Sequence, residues 1–168
     1  VLNSIYLENK DGRKKLIKLL ENACSGRATL FYKGRSAITQ ALLEARLEKE
    51  SGIAVTGFTC IAVIDAIKKA NMKPVFLDID PETLNFTAET LEEQIKKNKL
   101  HAAIIQNTLG FPCDIETIQK VCKKHKLILI EDLAHSVGSI YFNKKEAGLM
   151  GDFVVFSFSQ DKVIDAVS

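Results

Sequence analysis

The sequence contains no tryptophan, only three prolines, and none of the short signatures that mark the commonest nucleotide-binding folds. It has no GxGxxG motif after a strand pattern and no Walker-type P-loop, so a dinucleotide-binding or P-loop domain loses its specific support. A GxSxG nucleophile elbow is also missing, which leaves a serine hydrolase of the α/β-hydrolase type without support. The chemistry of this chain therefore has to be argued from other residues.

An excess of charge of one sign and long apolar runs are absent too. The formal net charge is only +2, so neither a nucleic-acid nor a membrane surface is expected. No apolar run approaches the roughly 18 residues of a membrane span. The first residues lack the basic-then-apolar pattern of an export signal. We therefore expect a cytoplasmic protein whose partners are neither nucleic acid nor membrane.

Cysteine pairs with metal-binding or redox spacing are also missing. The four cysteines contain no CxxC pair, and the three histidines form no metal spacing with them. Buried reduced thiols in a reducing compartment are favoured over disulfides or a zinc site. No metal site is expected. The cysteines are Cys24, Cys60, Cys113 and Cys122.

What the sequence does contain is an alternation of strand and helix patterns. The repeat has about the length of a βαβ unit, which favours a three-layer α/β/α domain with a mainly parallel sheet. Residues 138–152 interrupt this alternation, and residues 139–148 within them predict a short hairpin. Strand patterns occupy residues 53–56, 74–77, 102–105, 127–130 and 153–156. Helical patterns occupy residues 16–23, 37–49, 61–70, 88–97 and 115–126.

A pair of carboxylates, Glu131 and Asp132, stands where the apolar run 127–130 ends. In open parallel sheets, ligands bind at the carboxyl ends of the strands. Pyridoxal phosphate is one cofactor that needs an acid there, because its pyridine nitrogen must stay protonated; it also needs a lysine and a phosphate cradle. Asp132 suits the acid, although an Asp that caps the following turn is the alternative.

Candidates for the other two requirements lie at opposite ends of the chain. Lys162 follows the strand pattern 153–156, and a Schiff-base lysine must be neutral to attack, which a partly buried site encourages. A surface lysine is the alternative. Gly34, Arg35 and Ser36 precede the helical pattern 37–49, and a helix N-terminus attracts phosphate. A plain N-cap at Ser36 is the alternative there.

Six segments in this order resemble one family. They are KGRSAITQAL, GFTCIAVIDAI, KPVFLDIDPETLNF, AAIIQNTLGFPCDI, LILIEDLAHSVGS and GDFVVFSFSQDK. From about residue 30 onward, the sequence is similar to the DegT/DnrJ/StrS family of pyridoxal-phosphate sugar aminotransferases, which have the fold of aspartate aminotransferase. The most specific pieces are FLDIDPETLNF, the EDxAH segment, and FSF followed by a lysine four residues after its last Phe.

The resemblance assigns roles to individual residues. It implies that Asp132 pairs with the pyridine nitrogen and that Lys162 holds the cofactor covalently and later transfers protons. It places His135 beside the ring, where a structural hydrogen bond in a turn is the alternative. The catalytic residues implied are Lys162, Asp132 and His135. The further cofactor-binding residues implied are Gly34, Arg35, Ser36, Phe58 and Ser157.

The implied reaction is a ping-pong transfer of an amino group from an amino acid, typically glutamate, to a keto-sugar. The sugar would usually be nucleotide-linked, and the pathway would be polysaccharide or secondary-metabolite biosynthesis. Three alternatives remain: a pyridoxal-phosphate sugar dehydratase of the same fold, a non-catalytic relative, and an unrelated domain that binds a phosphorylated ligand. Dehydratases of this kind replace the lysine with His, so Lys162 favours amino transfer. A homodimer is implied.

The sequence also departs from the family pattern. Arg35 stands where a small hydroxyl residue is usual, Asn107 where His is frequent, and Gly57 where a Pro-Thr-like pair is common. Family members are longer than this chain. We therefore expect residues 1–168 to form part of the large domain, with a helical segment at 1–29, a sheet portion at 30–168, and no C-terminal small domain. The open sheet edge is then expected to promote self-association, and the chain alone could be inactive.

Overall fold

A computed structural model describes residues 10–159 and 161–164. The chain forms two units, Val1–Phe31 and Tyr32–Ser168. The described part of the first unit contains helix α1, Lys10–Cys24. This helix starts earlier than the predicted range 16–23, because the polar residues before Leu16 continue the helix without adding to the apolar pattern. Asp11 lies in its first turn, where a negative charge favours the helix dipole.

The second unit is built on a sheet of five parallel strands in the order β2-β1-β3-β4-β5. All five predicted strands are present, and the predicted α/β fold with a parallel sheet is confirmed. The strands are β1 Gly52–Thr56, β2 Lys73–Leu77, β3 Leu100–Ile105, β4 Ile128–Asp132 and β5 Phe153–Val155. Strand β4 runs further than the predicted 127–130, because Glu131 pairs with β3 and Asp132 pairs with β5.

Helices cover both faces of the sheet, which explains why the central strands are apolar throughout. On one face, Ile53, Ile104 and Ile130 pack in one core with α2 and α3. On the other face, Ala103 and Leu129 pack in a second core with α4 and α5. The helices are α2 Gly34–Glu44, α3 Ile61–Lys69, α4 Ala88–Lys97 and α5 Ile115–His125.

Helix α2 corrects the prediction at both ends. The predicted range was 37–49, but the helix begins at Gly34 and ends at Glu44. Arg46 adopts a positive φ of 53°, which a continuing α-helix does not permit. The N-cap is Lys33, so the alternative of a plain N-cap at Ser36 is wrong. Ser36 lies inside the first turn.

The strand order places a crevice at one end of the sheet. The chain moves from β1 to β2 on one side and then returns to β3 on the other side of β1. Helices that follow strands on either side of such a switch point diverge to opposite faces, and ligands bind outside the carboxyl ends of the strands there. Residues just after β1 and β3 therefore border the expected site.

Between β4 and β5, the chain makes the excursion that the sequence predicted. Ile140 and Glu146 form an isolated antiparallel bridge, so the predicted hairpin is present as a single bridge. Tyr141 is buried in the core shared with α4 and α5. Gly151 lies so close to strand β4 that an added Cβ would meet the Leu129 carbonyl oxygen at 3.1 Å and the Glu131 Cγ at 3.1 Å. The excursion is thus packed tightly against the sheet.

The cysteines follow the prediction only in part. Cys113 and Cys122 are buried, and burial raises the pKa of both thiols, that of Cys122 to about 12. Cys60 was expected to be buried, but it is exposed. It occupies the N-cap position before α3 and does not lie on the apolar face of that helix. In the described part of the chain, no helix combines the length and the apolarity that crossing a membrane requires.

Candidate active site

Asp132 ends strand β4 as a buried carboxylate. Only 3% of its surface is exposed. Its Oδ1 accepts a hydrogen bond from the backbone N–H of Ala134 at 3.1 Å, and its Oδ2 accepts one from Nε2 of Gln106 at 3.4 Å. Burial raises the pKa of Asp132, while these hydrogen bonds and the charges of His135 and Lys162 oppose that rise. The carboxylate has lone pairs to spare, and a cationic N–H donor would stabilise it.

Glu131 has a different role, because successive residues of a strand point to opposite faces. Its carboxylate is fully buried and accepts a hydrogen bond from the Tyr141 hydroxyl at 2.8 Å. It also accepts hydrogen bonds from the backbone N–H groups of Gly148, Met150 and Gly151 at 2.6–2.8 Å. Glu131 therefore holds the segment between β4 and β5 in place. Of the two acids, only Asp132 has a carboxylate with capacity to bind a ligand.

Lys162 lies beyond β5 with a mostly buried side chain, of which 17% is exposed. Its Nζ is 3.1 Å from Oδ2 of Asp161, and its backbone N–H donates to the Ser159 carbonyl at 2.9 Å. The Ser159 hydroxyl and the Lys162 ammonium together lower the pKa of Asp161 to about 2. Because the Asp161 side chain is largely exposed, this ion pair is weak and Lys162 can exchange it for another partner.

The start of helix α2 faces Ser157. A Cβ added at Gly34 would lie 3.6 Å from both Cβ and Oγ of Ser157. Lys33 provides no side-chain cap for the first turn. The N–H of Ser36 donates to the Lys33 carbonyl oxygen at 3.0 Å. The first N–H groups of the helix, those of Gly34 and Arg35, are therefore the candidate donors beside the Ser157 hydroxyl. Such donors suit a phosphate group.

The Arg35 side chain was expected to bind the cofactor phosphate, but it forms an ion pair with another helix. Its Nη1 forms an ion pair with Oδ2 of Asp65 in α3 at 3.1 Å, and both side chains are about half exposed. The guanidinium therefore links two helices on the same face of the sheet. In this arrangement, only the backbone N–H of Arg35 is available to the cradle beside Gly34.

Phe58 and His135 both follow the carboxyl ends of strands, Phe58 after β1 and His135 after β4. Phe58 follows β1, its N–H donates to Oγ1 of Thr56 at 2.8 Å, and half of the residue is exposed. An exposed aromatic ring at this place suits stacking against a flat ligand. Nδ1 of His135 is buried and has no hydrogen-bond partner among the described residues, so the alternative of a structural hydrogen bond is not realised at that atom.

Sequence reasoning missed two polar residues of this site. Gln106 follows β3 and is 4% exposed. Its Oε1 accepts a hydrogen bond from the Thr59 hydroxyl, while its Nε2 donates to Asp132. A polar residue directly after the apolar strand pattern 102–105 was the available signal for Gln106. For Thr59, no sequence signal distinguishes it from other loop threonines.

Comparisons with known proteins agree with this geometry. The sequence matches the profile of the DegT/DnrJ/EryC1/StrS aminotransferase family over residues 18–168. The chain belongs to this family. The expected resemblance is thereby confirmed, and the family's cofactor is pyridoxal phosphate.

Three relatives illustrate the match. GDP-perosamine synthase of Escherichia coli O157:H7 is 36% identical over 137 residues, which are 82% of this chain and 37% of that protein. Helicobacter pylori PseC, an aminotransferase of pseudoaminic acid biosynthesis, superposes with a TM-score of 0.80 at 27% identity, over 90% of this chain and 41% of PseC. The sugar dehydratase ColD, solved as its H188N mutant with bound GDP-perosamine, gives a TM-score of 0.81 at 26% identity, over 90% of this chain and 40% of ColD. The chain thus spans little more than a third of the length of the curated relative.

Proposed function

We propose that this chain carries the cofactor-binding core of a pyridoxal-phosphate-dependent aminotransferase. The amino group would come from an amino acid, most simply glutamate, and go to a nucleotide-linked keto-sugar. The observation that carries the proposal is the buried carboxylate of Asp132, whose charge interacts with those of His135 and Lys162. A buried acid with spare lone pairs, near a lysine that is mostly buried, is what this cofactor requires.

The residues present fit the cofactor at three separate points. Asp132 offers a buried carboxylate to a pyridinium N–H. The space between Gly34 and Ser157, which a Cβ would occupy, offers room for a phosphate. The unpaired Nδ1 of His135 offers a further polar atom near Asp132. When bound, pyridoxal phosphate supplies an electron sink for the carbon that loses or gains a proton.

Each residue of the chain then has a defined task. Asp132 stays ionised and keeps the proton on the pyridine nitrogen, because a carboxylate nearby favours the cationic form. Lys162 would hold the cofactor through Nζ and would move a proton at the reacting carbon with the same atom. The first turn of α2 and the Ser157 hydroxyl would bind the phosphate, and Phe58 would support one face of the ring.

Two of the competing functions have the same fold, and Lys162 separates them from amino transfer. ColD demonstrates that a sugar dehydratase superposes closely on this chain. A lysine at position 162 supports covalent cofactor binding and proton transfer, which a dehydratase with His at that position would lack. Asp132 and Lys162 together also weigh against a non-catalytic relative.

The proposal extends to assembly and location. We propose a homodimer, supported by the open edge of the described sheet at β2, where half of Phe76 is exposed. We also propose a cytoplasmic location, supported by Cys113 and Cys122, which are buried as thiols and form no disulfide.

Chemical trapping tests the cofactor assignment. The protein is incubated with pyridoxal phosphate, reduced with borohydride, digested and mapped by mass spectrometry. We expect a pyridoxyl group on Lys162 that disappears in Lys162→Ala. Lys124→Ala is the matched control, because Lys124 is also ion-paired, with Glu92 at 2.8 Å, but lies on a helix that packs on the opposite face of the sheet. Labelling scattered over surface lysines would contradict the assignment.

A half-reaction tests the activity. Glutamate alone should convert the bound cofactor to its amino form and release 2-oxoglutarate in equal amount, which absorbance and an enzymatic assay for 2-oxoglutarate both measure. A loaded protein that shows no spectral change with glutamate or other amino acids, but acts on a keto-sugar, would favour the dehydratase. The matched comparison is Lys162→His, which should lose the glutamate half-reaction.

A further inference from the structure

The side-chain amide of Gln106 connects the loop after β1 with the end of β4. Gln106 follows β3, Thr59 lies between β1 and α3, and Asp132 ends β4. Gln106 is 4% exposed and Asp132 is 3% exposed, so water competes little for either group. Two hydrogen bonds join the three side chains in series: one from the Thr59 hydroxyl to Gln106 Oε1, and one from Gln106 Nε2 to Asp132 Oδ2.

The direction of both hydrogen bonds follows from the chemistry of Asp132. An ionised carboxylate can only accept, so the amide must turn its Nε2 toward Asp132 and its Oε1 toward Thr59. Thr59 must then donate its hydroxyl proton to Gln106. A Gln side chain with the opposite orientation would point a carbonyl oxygen at a buried carboxylate, which is repulsive. Asp132 therefore fixes the orientation of the amide, Thr59 donates to the oxygen at its other end, and the amide stabilises the charged form of Asp132.

We propose that Gln106 is the positioning residue that holds the Asp132 carboxylate ionised and oriented for the cofactor, with Thr59 anchoring the oxygen end of the Gln106 amide. This inference rests on the proposed function, since it assigns Asp132 to the pyridine nitrogen. Of the two donors to Asp132 found in the described residues, one is the Ala134 backbone N–H and the other is the Gln106 side chain. Gln106 is thus the side chain whose hydrogen bond to this acid a substitution can remove without changing the backbone.

The test uses cofactor binding as a function of pH. The dissociation constant of pyridoxal phosphate is measured by absorbance titration between pH 5 and 9 in Gln106→Leu, Gln106→Glu, Thr59→Val and the unchanged protein. The cofactor's own ionisations are common to all four proteins and cancel in the comparison. Cofactor binding is expected to weaken as falling pH protonates Asp132, so the midpoint of that loss reports on the acid.

The relative sizes of the midpoint shifts in the three variants show whether Gln106 positions Asp132 or only fills space beside it. Gln106→Leu removes a donor and should move the midpoint to higher pH, with binding at pH 8 weakened roughly 3- to 10-fold, the loss expected for one ordinary hydrogen bond, because this one is long at 3.4 Å. Gln106→Glu has the same shape but adds a second acid, so it should move the midpoint further than Leu does. Thr59→Val should give the same direction with a smaller shift.

Gln119→Glu is the matched control. The Gln119 amide donates to the Met150 carbonyl, on the face of the sheet opposite Asp132, so this variant should leave the midpoint unchanged. Equal midpoints in the unchanged protein and in both Gln106 variants would overturn the inference while leaving the proposed function intact. Absence of cofactor binding in the unchanged protein would instead overturn the proposed function itself.

Discussion

The substitution Gly34→Ala tests the phosphate cradle with a single methyl group. Gly34 is the first residue of helix α2, and it is not among the residues with positive φ, so alanine can adopt its backbone conformation. The added Cβ would lie 3.6 Å from Cβ and Oγ of Ser157, which is ordinary van der Waals contact. The fold therefore has no steric reason to lose stability.

The expected magnitudes have opposite signs for folding and for cofactor binding. Alanine has a lower conformational entropy cost than glycine in a helix, so the free energy of unfolding should rise by up to about 1 kcal/mol. For a domain of this size, that corresponds to a rise of roughly 2–4 °C in Tm. The methyl group also occupies the space before the first turn of α2. Loss of one hydrogen bond to the phosphate would weaken cofactor binding by roughly 10- to 100-fold.

Two assays on the same preparation measure both effects. Thermal unfolding without cofactor gives Tm, and absorbance titration with pyridoxal phosphate gives Kd. Lys124→Ala, on a helix that packs on the opposite face of the sheet, is the control and should leave Kd unchanged. An unchanged Kd in Gly34→Ala, together with a stable fold, would refute the placement of the phosphate at the start of α2.

Three further substitutions probe the two acids of β4 and their surroundings. Burial raises the folded-state pKa of Asp132, so the stability that its protonated form contributes is lost as pH rises through that pKa. In urea titrations, Asp132→Asn should therefore stabilise the cofactor-free protein at pH 8 but not at pH 4. The same variant should bind pyridoxal phosphate poorly, and a stability difference independent of pH would contradict the account. Tyr141→Phe removes a donor to the buried Glu131 carboxylate and should cost about 1–3 kcal/mol in urea unfolding without changing Kd. Gly151→Ala would place a Cβ 2.8 Å from the Phe153 carbonyl oxygen and should lower stability by about 2 kcal/mol or more, visible as a lower Tm; a neutral result would mean that the excursion can move.

The sequence patterns predicted the strands and helices, but they did not predict the order of the strands in the sheet. Apolar runs predicted all five strands, because a sheet covered on both faces demands continuous apolar residues. Helix boundaries were less accurate, since the polar first turn of α1 and the left-handed Arg46 after α2 carry no periodic signal. The return of the chain from β2 to the far side of β1 depends on contacts between distant segments, which periodicity does not encode.

The sequence patterns placed an acid at the end of β4 and a lysine beyond β5. The roles of Asp132 and Lys162 were implied by the family resemblance, and they stay predictions. The sequence did not indicate that the Arg35 guanidinium pairs with Asp65, because an exposed ion pair between two helices has no signature in the chain. Nor did it indicate Gln106, whose importance depends on a side-chain direction that only the fold determines.

The two adjacent acids of β4, Glu131 and Asp132, differ in how many hydrogen bonds their carboxylates accept. Glu131 receives four hydrogen bonds, from the Tyr141 hydroxyl and three backbone N–H groups, and such a satisfied buried charge stabilises its surroundings. Asp132 is as deeply buried but receives only two among the described residues, one of them long at 3.4 Å. A buried charge with so few partners costs stability unless something else completes it. That cost arises at the carboxyl end of a central strand, near Gln106, His135 and Lys162, and it supports the proposal that Asp132 binds a ligand with a protonated ring nitrogen.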